Sequence, residues 1–458
     1  MKKELPVKRN ETYTIDITGQ GHEGQGVGRI DGFTVFVEGV LPSEKVEIKI
    51  VKAAPSHAFG KLLNVIEPSP ARIQPFCSTY KRCGGCQLQH MTYEAQLEFK
   101  TNIVREAVQR IGGMEGVEIK HTIGMNQPLN YRNKAQYPVG VQGEQVVIGF
   151  YANRSHEIIA GTQCEIQHKR GFQIAGKIKE FIEGKGIPVY NEKSGKGIIR
   201  HIVTRVGFST GEIMAVVAAN ADNLPYKDEL VEFVEREMPE ITSLVHNINK
   251  KNTNVIFGEQ NKVLFGRGYI IDTIGKYQFK ISPHSFFQVN PVQTEVLYSK
   301  ALEYARLTGK ETVFDLYCGI GTISLFLSDN FKKVYGVELV QPAVEDAREN
   351  AKLNGISNVE FICGEAEKVV PEMYAKGIRA DVVVLDPPRK GCDRVLLETV
   401  AAMKPERIVY VSCNPSTLAR DLKILDELGY KTKEIQPVDM FPQTYHVETV
   451  VLMSRVEK

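Results

Sequence analysis

Strand-like hydrophobic runs alternate with helical patterns through the last third of the chain. Five short apolar runs are separated by segments whose apolar residues recur near a 3.6-residue period, a pattern that predicts a parallel sheet covered by helices. A final run, Glu448 to Met453, is expected to add an antiparallel edge strand. The runs are Thr312 to Leu316, Lys333 to Val337, Val359 to Ile362, Val382 to Leu385 and Arg407 to Val411, and the helices Val292 to Leu307, Pro342 to Asn354 and Thr417 to Leu428.

The first 70 residues have a different pattern, in which short β-type runs are separated by glycine-rich turns such as Gly24 to Gly28. Several short strands at this spacing predict a small β-barrel. Glu67-Pro68-Ser69-Pro70 is expected to be a linker. The predicted strands are Thr12 to Ile17, Phe33 to Val37, Lys45 to Val51 and Phe59 to Ile66.

The middle of the chain mixes both patterns, so the fold class is α/β with three domains: a barrel over 1–70, a central α+β domain over 71–280 and a Rossmann-like domain over 281–458. The helix predicted for Met91 to Arg110 could instead pack with the last domain. Other predicted elements are strands at Val146 to Tyr151, Ile199 to Val206 and Ile213 to Ala218, and helices at Gln173 to Glu183 and Asp228 to Glu237.

The amino-acid composition narrows the class of protein to which the chain can belong. The 458 residues are 42% hydrophobic and 24% charged, as in folded proteins. No apolar run approaches the roughly 20 residues of a membrane span, so we expect a cytoplasmic protein without membrane contact. The net charge of +2 means that any nucleic-acid contact must come from local patches. Eight cysteines are too few for a disulfide scaffold, so ligands, nucleophiles or core residues are expected.

Cys413 is the most informative of these cysteines, because Val411-Ser412-Cys413-Asn414-Pro415 follows a predicted strand. Enzymes with parallel sheets carry their chemistry at strand ends, which favours a nucleophile. A free cysteine is also a common core residue, and this alternative remains open for the residue taken alone.

A nucleoside cofactor site is predicted where Asp315-Leu316 runs into Tyr317-Cys318-Gly319-Ile320-Gly321. Glu338 ends the next predicted strand, and an acid at that separation can accept hydrogen bonds from ribose hydroxyls. Ser324 stands where a dinucleotide fingerprint has its third glycine. S-adenosylmethionine, which has no phosphates, therefore fits better than NAD, although a tight turn with a chance acid is the simpler alternative.

Asp386 and Glu448 complete the predicted chemistry. Asp386-Pro387-Pro388-Arg389 holds a carboxylate on a stiff loop, where it can accept a hydrogen bond from a base edge. Carbon 5 of a pyrimidine becomes nucleophilic only after a thiolate adds to carbon 6, which gives Cys413 a role. The proton left on carbon 5 then needs a base, for which Glu448 is the candidate and His446 the rival.

The motifs, in this order, resemble the RNA uridine-5 methyltransferase family of the RumA and TrmA type, and the barrel resembles a TRAM RNA-binding domain. They are Asp-Leu-Tyr-Cys-Gly-Ile-Gly, Asp-Pro-Pro-Arg, Ser-Cys-Asn-Pro and Phe-Pro-Gln-Thr-x-His-Val-Glu. The resemblance implies Cys413 as nucleophile and Glu448 as proton-abstracting base. It places Gln288, Tyr317, Glu338 and Asp386 around S-adenosylmethionine and the target base. Phe286, in Ser285-Phe286-Phe287-Gln288-Val289-Asn290, is expected to stack on the extruded uracil unless it packs in the core.

Cys77, Cys83 and Cys86 form a C-x5-C-x2-C pattern, and Cys164 is a fourth cysteine before the catalytic half. Four such ligands can hold zinc or an iron-sulfur cluster, and spacing alone does not separate the two. The family resemblance implies a 4Fe-4S cluster. Because members that act on tRNA generally lack it, the resemblance also favours 23S ribosomal RNA. The remaining Cys318, Cys363 and Cys392 are expected to be structural.

Patches that mix aromatic and basic residues suit single-stranded RNA, although each taken alone is more often a solvated surface. The expected activity is therefore methylation of carbon 5 of uridine in 23S ribosomal RNA by a monomer. The alternatives are tRNA or a cytosine as substrate, and a non-catalytic RNA-binding assembly factor. The patches are Tyr80-Lys81-Arg82, Tyr131-Arg132-Asn133-Lys134, Arg200-His201 and His246 to Asn252.

Overall fold

A computed structural model describes residues 5–161 and 163–456. The N-terminal residues form a closed five-stranded barrel, as predicted. Gly26 lies in a strand where a turn was expected, because a Cβ there would stand 2.3 Å from Val40 Cγ2 and only glycine allows so close an approach. The strands are β1 (Thr12–Gln20), β2 (Gly26–Ile30), β3 (Phe33–Val37), β4 (Lys45–Ala53) and β5 (His57–Glu67).

The cysteine-rich stretch after the barrel leads into helix α1 (Tyr93–Arg110) and the two-residue strand β6 (Glu118–Ile119). The side chain of Thr92 caps α1 by accepting a hydrogen bond from the backbone N–H of Ala95. Lys100 is fully buried in this helix, although lysine is rarely buried unless it is paired.

The central region is a seven-stranded sheet with two helices packed against it. Strands and helices share an apolar core that includes Ile178, Ile202 and Val217. The sheet contains β7 (Lys134–Gln142), β8 (Gln145–Tyr151), β9 (Ile158–Ala160), β10 (Ile199–Val206), β11 (Ile213–Ala219), β12 (Ile241–Ile248) and β13 (Gln260–Gly266), and the helices are α2 (Lys169–Gly184) and α3 (Lys227–Glu237).

The C-terminal part contains a hairpin and a large sheet covered by helices. The hairpin is β14 (Ile270–Ile274) and β15 (Tyr277–Ile281). The other elements are α4 (Pro291–Ala305), β16 (Thr312–Leu316), α5 (Thr322–Phe326), β17 (Lys333–Glu338), α6 (Gln341–Leu353), β18 (Val359–Cys363), α7 (Ala366–Ala375), β19 (Val382–Leu385), α8 (Arg394–Met403), β20 (Arg407–Ser412), α9 (Pro415–Glu427), β21 (Tyr430–Val438) and β22 (Glu448–Arg455).

The large sheet has the strand order β18-β17-β16-β19-β20-β22-β21-β6. Its first five strands are parallel, as the alternation of strands and helices predicts. Strand β22 is antiparallel, but the expectation that it forms an edge is wrong, because it pairs with β20 on one side and β21 on the other. The predicted α/β class, with its barrel and Rossmann-like domain, is confirmed.

The sheet takes its last strand from before the central region. Strand β6 pairs in parallel with β21, where Ile119 is the partner of Ile435. Helix α1 packs against α9 and β21. The segment from α1 to β6 therefore lies with the C-terminal sheet, which was the alternative position for the predicted helix. The limits 1–70, 71–280 and 281–458 otherwise stay a prediction.

Within the described ranges, we find no helix with both the length and the apolar character needed to cross a bilayer.

Candidate active site

The predicted site residues converge on the carboxyl edge of the parallel sheet. In open parallel sheets, ligands bind outside this edge, next to the point where the strand order reverses. Strand β16 lies at the centre of the sheet, between β17 and β19. Tyr317 follows β16, Glu338 ends β17, Asp386 follows β19 and Cys413 follows β20.

The side chain of Glu338 is held in place by the nucleoside loop, residues 317–321, and by the residues that follow it. Its Oε2 accepts a hydrogen bond from the backbone N–H of Gly319 at 3.1 Å, and its Oε1 accepts one from Val340 at 2.9 Å. A carboxylate oxygen has more than one acceptor direction, so both oxygens can still accept from ribose hydroxyls. The exposed side chains of Leu339 and Val340 beside it offer an apolar surface to a flat base.

Asp315 supports the same loop from below. It is fully buried, and its Oδ2 accepts a hydrogen bond from the hydroxyl of Ser324, the residue that replaces the third glycine. Its Oδ1 has no hydrogen-bond partner among the described residues. Burial raises the pKa of Asp315 to about 6. An unpaired buried acceptor at this position suits the donor groups of a bound amino-acid or nucleoside portion.

Tyr317 adopts a left-handed backbone conformation with φ +68°, which is uncommon for a bulky residue. Its hydroxyl donates to Glu367 Oε1 at 2.8 Å, so the phenol is held by α7 at the start of the loop. Strained backbone of this kind concentrates at ligand sites. Direct contact between Tyr317 and a cofactor stays a prediction.

Cys413 and Glu448 lie at matching positions of two paired strands. Ser412 of β20 is the partner of Thr449 of β22, so the next position along each strand is Cys413 on one side and Glu448 on the other. Glu448 is buried, whereas Cys413 is only partly buried. The antiparallel pairing of a late strand therefore brings together two residues that the sequence separates by a helix and a further strand.

The charged groups around Cys413 shift the pKa of its thiol in opposite directions. Burial, helped by the carboxylates of Glu448 and Asp386, raises the pKa of the Cys413 thiol to about 11, whereas Arg389 lowers it. Burial and Asp315 raise the pKa of Asp386 to about 7. Burial and Asp386 hold the pKa of Glu448 well above its usual range. The four side chains thus form one electrostatic unit in which the carboxyl groups have a high affinity for protons.

His446 is less suited to accept a proton than Glu448. Burial and the nearby cations Arg389, Lys100 and Arg132 lower the pKa of His446 to about 4. Its ring packs on Tyr445, with ring centroids 4.3 Å apart. Because a base of higher pKa holds the abstracted proton more strongly, this difference favours Glu448.

Phe286 and Gln288 lie in the turn that leads into α4. Phe286 is 70% exposed, so the alternative that it packs in the core is wrong, and its neighbour Phe287 fills the core instead. Gln288 is buried, and its backbone carbonyl accepts a hydrogen bond from the side chain of Asn133. An exposed aromatic ring beside a buried amide suits base stacking, but both assigned roles stay predictions.

Cys77, Cys83, Cys86 and Cys164 line one cavity of about 410 Å³, together with Arg132, Lys134, Tyr445 and His446. Burial, helped by the charges of Cys164, Cys83 and Cys77, raises the pKa of Cys86 to about 12. In the described part of the chain, no three or more acidic, cysteine or histidine side chains are arranged to hold a single metal ion.

The other cysteines divide into two kinds. Cys318 and Cys392 are buried, as a structural role requires. Cys363 is exposed at the end of β18, so the expectation that it belongs to the core is wrong. The end of this edge strand is open to solvent on the side where Cys363 projects.

Several residues predicted to contact RNA are buried instead. Tyr131 donates its hydroxyl to the carbonyl of Pro442, and Arg200 donates to the carbonyls of Asn249, Lys251 and Thr253. These side chains satisfy backbone groups and cannot reach a nucleic acid, so their predicted contacts are wrong. The same holds for the buried residues His201, His246, Asn247 and Asn249, whereas Lys81, Arg82 and Lys250 are exposed.

Sequence reasoning also gave no role to Lys100 and Tyr298. Lys100 forms a buried ion pair with Asp439, and Tyr298 is buried in α4, where the charge of Asp386 contributes to raising its pKa. Neither residue differs in local pattern from an ordinary helix residue. Only their partners, which are distant in sequence, reveal them.

Comparison with known proteins identifies the family of the chain. A model of the TRAM domain matches residues 6–63, and a model described as tRNA (Uracil-5-)-methyltransferase matches residues 223–456, more than half of the chain. Two curated relatives are each named an uncharacterized RNA methyltransferase. The protein from Clostridium tetani is 54% identical over 99% of this chain and 98% of its own length, and that from Halalkalibacterium halodurans is 51% identical over 99% of each.

A solved structure extends the similarity to the whole architecture. The Pyrococcus abyssi tRNA (uracil-54, C5)-methyltransferase, in complex with S-adenosyl-L-homocysteine, aligns with a TM-score of 0.77 at 28% identity, over 96% of this chain and 100% of that one. The nucleoside loop, the strand-end cysteine and the barrel thus occur in a chain whose relatives act on RNA. The chain belongs to the tRNA (uracil-5-)-methyltransferase family and is an S-adenosylmethionine-dependent RNA (uracil-5-)-methyltransferase with an N-terminal TRAM domain.

Proposed function

We propose that Cys413 is the nucleophile and Glu448 the base in methylation of carbon 5 of a uridine in 23S ribosomal RNA. One observation carries the chemistry: the register of β20 and β22 brings a thiol and a buried carboxyl group to neighbouring positions at the ligand-binding edge. Uracil carbon 5 needs both groups, one to activate it and one to remove its proton.

In the proposed sequence, the Cys413 thiolate forms a bond to carbon 6 of uracil, and the electron pair of the 5,6 double bond becomes available at carbon 5. S-adenosylmethionine, when bound, would supply the methyl group that carbon 5 accepts, and S-adenosylhomocysteine would be the leaving group. Glu448 then removes the proton from carbon 5, the double bond forms again, and the bond between Cys413 and carbon 6 breaks. Asp386 accepts a hydrogen bond from the ring N–H, which holds the uracil edge during these steps.

The residues around the nucleoside loop fit the cofactor. Glu338 would accept hydrogen bonds from the ribose hydroxyls, and the exposed apolar pair Leu339 and Val340 would pack on the adenine. The unpaired Oδ1 of Asp315, together with Tyr317 and Gln288, would hold the methionine portion. Phe286 stacks on the uracil once it has been extruded from the RNA, at a cost of a few kcal/mol for unstacking.

The family resemblance favours a 4Fe-4S cluster over zinc at the four cysteines. The cysteines are among the residues that line a cavity of about 410 Å³, which leaves room for a cluster with a separate iron for each thiolate. Arg132 and Lys134 line the same space and offset the negative charge of a thiolate-bound cluster. Cys77, Cys83, Cys86 and Cys164 would hold it.

The choice of ribosomal RNA rests on the cysteine set, through the resemblance described above. The rival substrate is tRNA, which the whole-length similarity to the Pyrococcus abyssi tRNA enzyme favours. The chemistry at Cys413 is the same for either RNA. The two hypotheses therefore differ only in which RNA the enzyme recognises.

Incubation with methyl-labelled S-adenosylmethionine and separate preparations of 23S ribosomal RNA, 16S ribosomal RNA and tRNA tests the proposal. We expect 5-methyluridine in digests of the 23S RNA and none with Cys413→Ala. Cys363→Ala, at an exposed cysteine that ends the edge strand β18, is the control and should keep wild-type activity. An active Cys413→Ala enzyme would overturn the covalent route, and methylation confined to tRNA would overturn the choice of RNA alone.

A further inference from the structure

The nine residues before Glu448, residues 439–447, are called the base segment here. They connect β21 to β22 without regular secondary structure. A connection of this kind normally runs over the surface, where water satisfies its backbone groups. Most of the base segment is buried instead, including Asp439, Met440 and Gln443. Its backbone carbonyls must therefore find donors within the protein.

Five consecutive carbonyls of the base segment do so, each with at least one donor from outside the segment. Gln293 donates to Asp439, Asn290 to Met440, Lys100 to Phe441 and Tyr131 to Pro442, at 3.1, 2.9, 3.1 and 3.0 Å respectively. The backbone N–H groups of Gln87 and Leu88, just after Cys86, both donate to Gln443 at 3.0 Å.

Gln443 is the residue of the base segment whose conformation is held by contacts from two other parts of the chain. It has a left-handed conformation with φ +71°, which is strained for a residue other than glycine. Its backbone N–H donates to Gln96 Oε1 at 3.0 Å, and its side-chain oxygen accepts from Gln96 Nε2 at 3.0 Å. Together with the two bonds to its carbonyl, these contacts hold the conformation in place from α1 and from the cysteine-rich stretch.

We propose that Tyr131 and Gln96 are positioning residues that hold the base segment so that Glu448 can take the proton from carbon 5. Neither residue needs to touch the RNA or the cofactor. The proposal rests on the proposed function, since it assumes that Glu448 is the base. Proton abstraction requires the carboxylate within about 3 Å of its target, and a displacement of about 1 Å can cost on the order of 100-fold in rate.

The proposal predicts which step of the reaction slows. Adduct formation depends on Cys413, which follows β20, whereas release of the methylated RNA depends on Glu448, which follows the base segment. If the base segment loosens, the adduct and the methyl transfer still occur but elimination is delayed. The covalent complex between protein and methylated RNA should then accumulate. A general loss of stability would instead lower adduct and product together.

Tyr131→Phe is the test variant, because it removes only the hydroxyl that bonds to Pro442. Tyr430→Phe is its matched control, since Tyr430 is equally buried and donates its hydroxyl to the carbonyl of Pro405 at 2.8 Å, away from the base segment. Gln96→Met is a second variant in case Tyr131→Phe does not fold.

Single-turnover reactions with methyl-labelled S-adenosylmethionine and substrate RNA are resolved on denaturing gels into free methylated RNA and the protein–RNA complex. For Tyr131→Phe and Gln96→Met, we expect release of methylated RNA to slow about tenfold while the labelled complex accumulates. Tyr430→Phe should behave like the wild type. Equal behaviour of Tyr131→Phe and Tyr430→Phe, or a parallel loss of complex and product, would overturn the positioning role.

Glu448→Gln in the same assay separates this proposal from the one on which it rests. It should trap the labelled complex more completely than any other variant. Failure of Glu448→Gln to trap the complex would overturn the assignment of the base, and the positioning role with it. Trapping by Glu448→Gln without trapping by Tyr131→Phe or Gln96→Met would overturn the positioning role alone.

Discussion

The nucleoside loop and the base segment lie at the same edge of one sheet, yet they are built from different parts of the chain. The loop is local: Glu338 is held by Gly319 and Val340, and Asp315 by Ser324. The base segment depends on residues between Gln87 and Gln293. The nucleoside loop should therefore keep its conformation independently of the N-terminal half, whereas proton abstraction should depend on that half.

The largest expected effect comes from Lys100→Met. The Lys100–Asp439 ion pair is fully buried, and removal of one partner leaves an uncompensated charge, at a cost of about 3–5 kcal/mol. Urea unfolding should show this loss, and the double variant Lys100→Met/Asp439→Leu should recover much of it. Calorimetry on the folded protein should show unchanged affinity for S-adenosylhomocysteine. A large loss of that affinity would mean that the two regions are not separable.

Glu338→Ala tests the nucleoside loop, as Lys100→Met tests the base segment. Two hydrogen bonds from ribose hydroxyls to a carboxylate are worth about 1.5–3 kcal/mol each, so affinity for S-adenosylhomocysteine should fall by about 100-fold or more. The matched control is Glu360→Ala on the neighbouring strand β18, which removes only an ion pair to Lys333. If both variants bind the cofactor alike by calorimetry, Glu338 has no part in the site.

Phe286→Leu should affect RNA alone. Stacking of a base on an aromatic ring is worth about 1–3 kcal/mol, so the KM for RNA should rise about tenfold or more with little change in kcat. Phe286→Tyr retains the stacking surface and serves as the control. A wild-type KM for Phe286→Leu in steady-state kinetics would rule out the stacking role.

The smallest expected effects are changes in the pKa of the Cys413 thiol. Because the Asp386 carboxylate contributes to raising the pKa of Cys413 and Arg389 to lowering it, Asp386→Asn should lower this pKa and Arg389→Gln should raise it. The rate of Cys413 alkylation by iodoacetamide against pH measures both shifts, in a protein whose exposed Cys363 is replaced by alanine. Shifts in the same direction for both variants would contradict the electrostatic unit described here.

The same contrast explains what the sequence could predict. Strands β16 and β19 have the predicted bounds, and the motifs at the ends of β17, β19 and β20 place Glu338, Asp386 and Cys413 at one edge. These features depend on short-range patterns, namely strand periodicity and the residues that follow a strand. A parallel sheet then brings the strand ends together without further information.

Contacts between residues far apart in the sequence could not be predicted from such local patterns. Tyr131 was assigned to an RNA-binding patch because aromatic and basic residues surround it, but its partner Pro442 is more than 300 residues away. Lys100 occupies an ordinary helical position, and nothing nearby in sequence predicts its burial against Asp439. The position of β22 inside the sheet was missed because β21, which pairs with it, was not predicted; β6 then covers the outer side of β21 from a distant part of the chain.

The pairing of β6 with β21 has a consequence for biosynthesis. Ile119 emerges from the ribosome long before its partner Ile435, and at about 5–20 residues per second the interval is on the order of tens of seconds. Until then, β6 and the apolar face of α1 have no sheet to join. The central region can fold on the ribosome during this wait, because its sheet is complete at Gly266. The early segment from α1 to β6 thus stays exposed on the nascent chain until β21 has been synthesised.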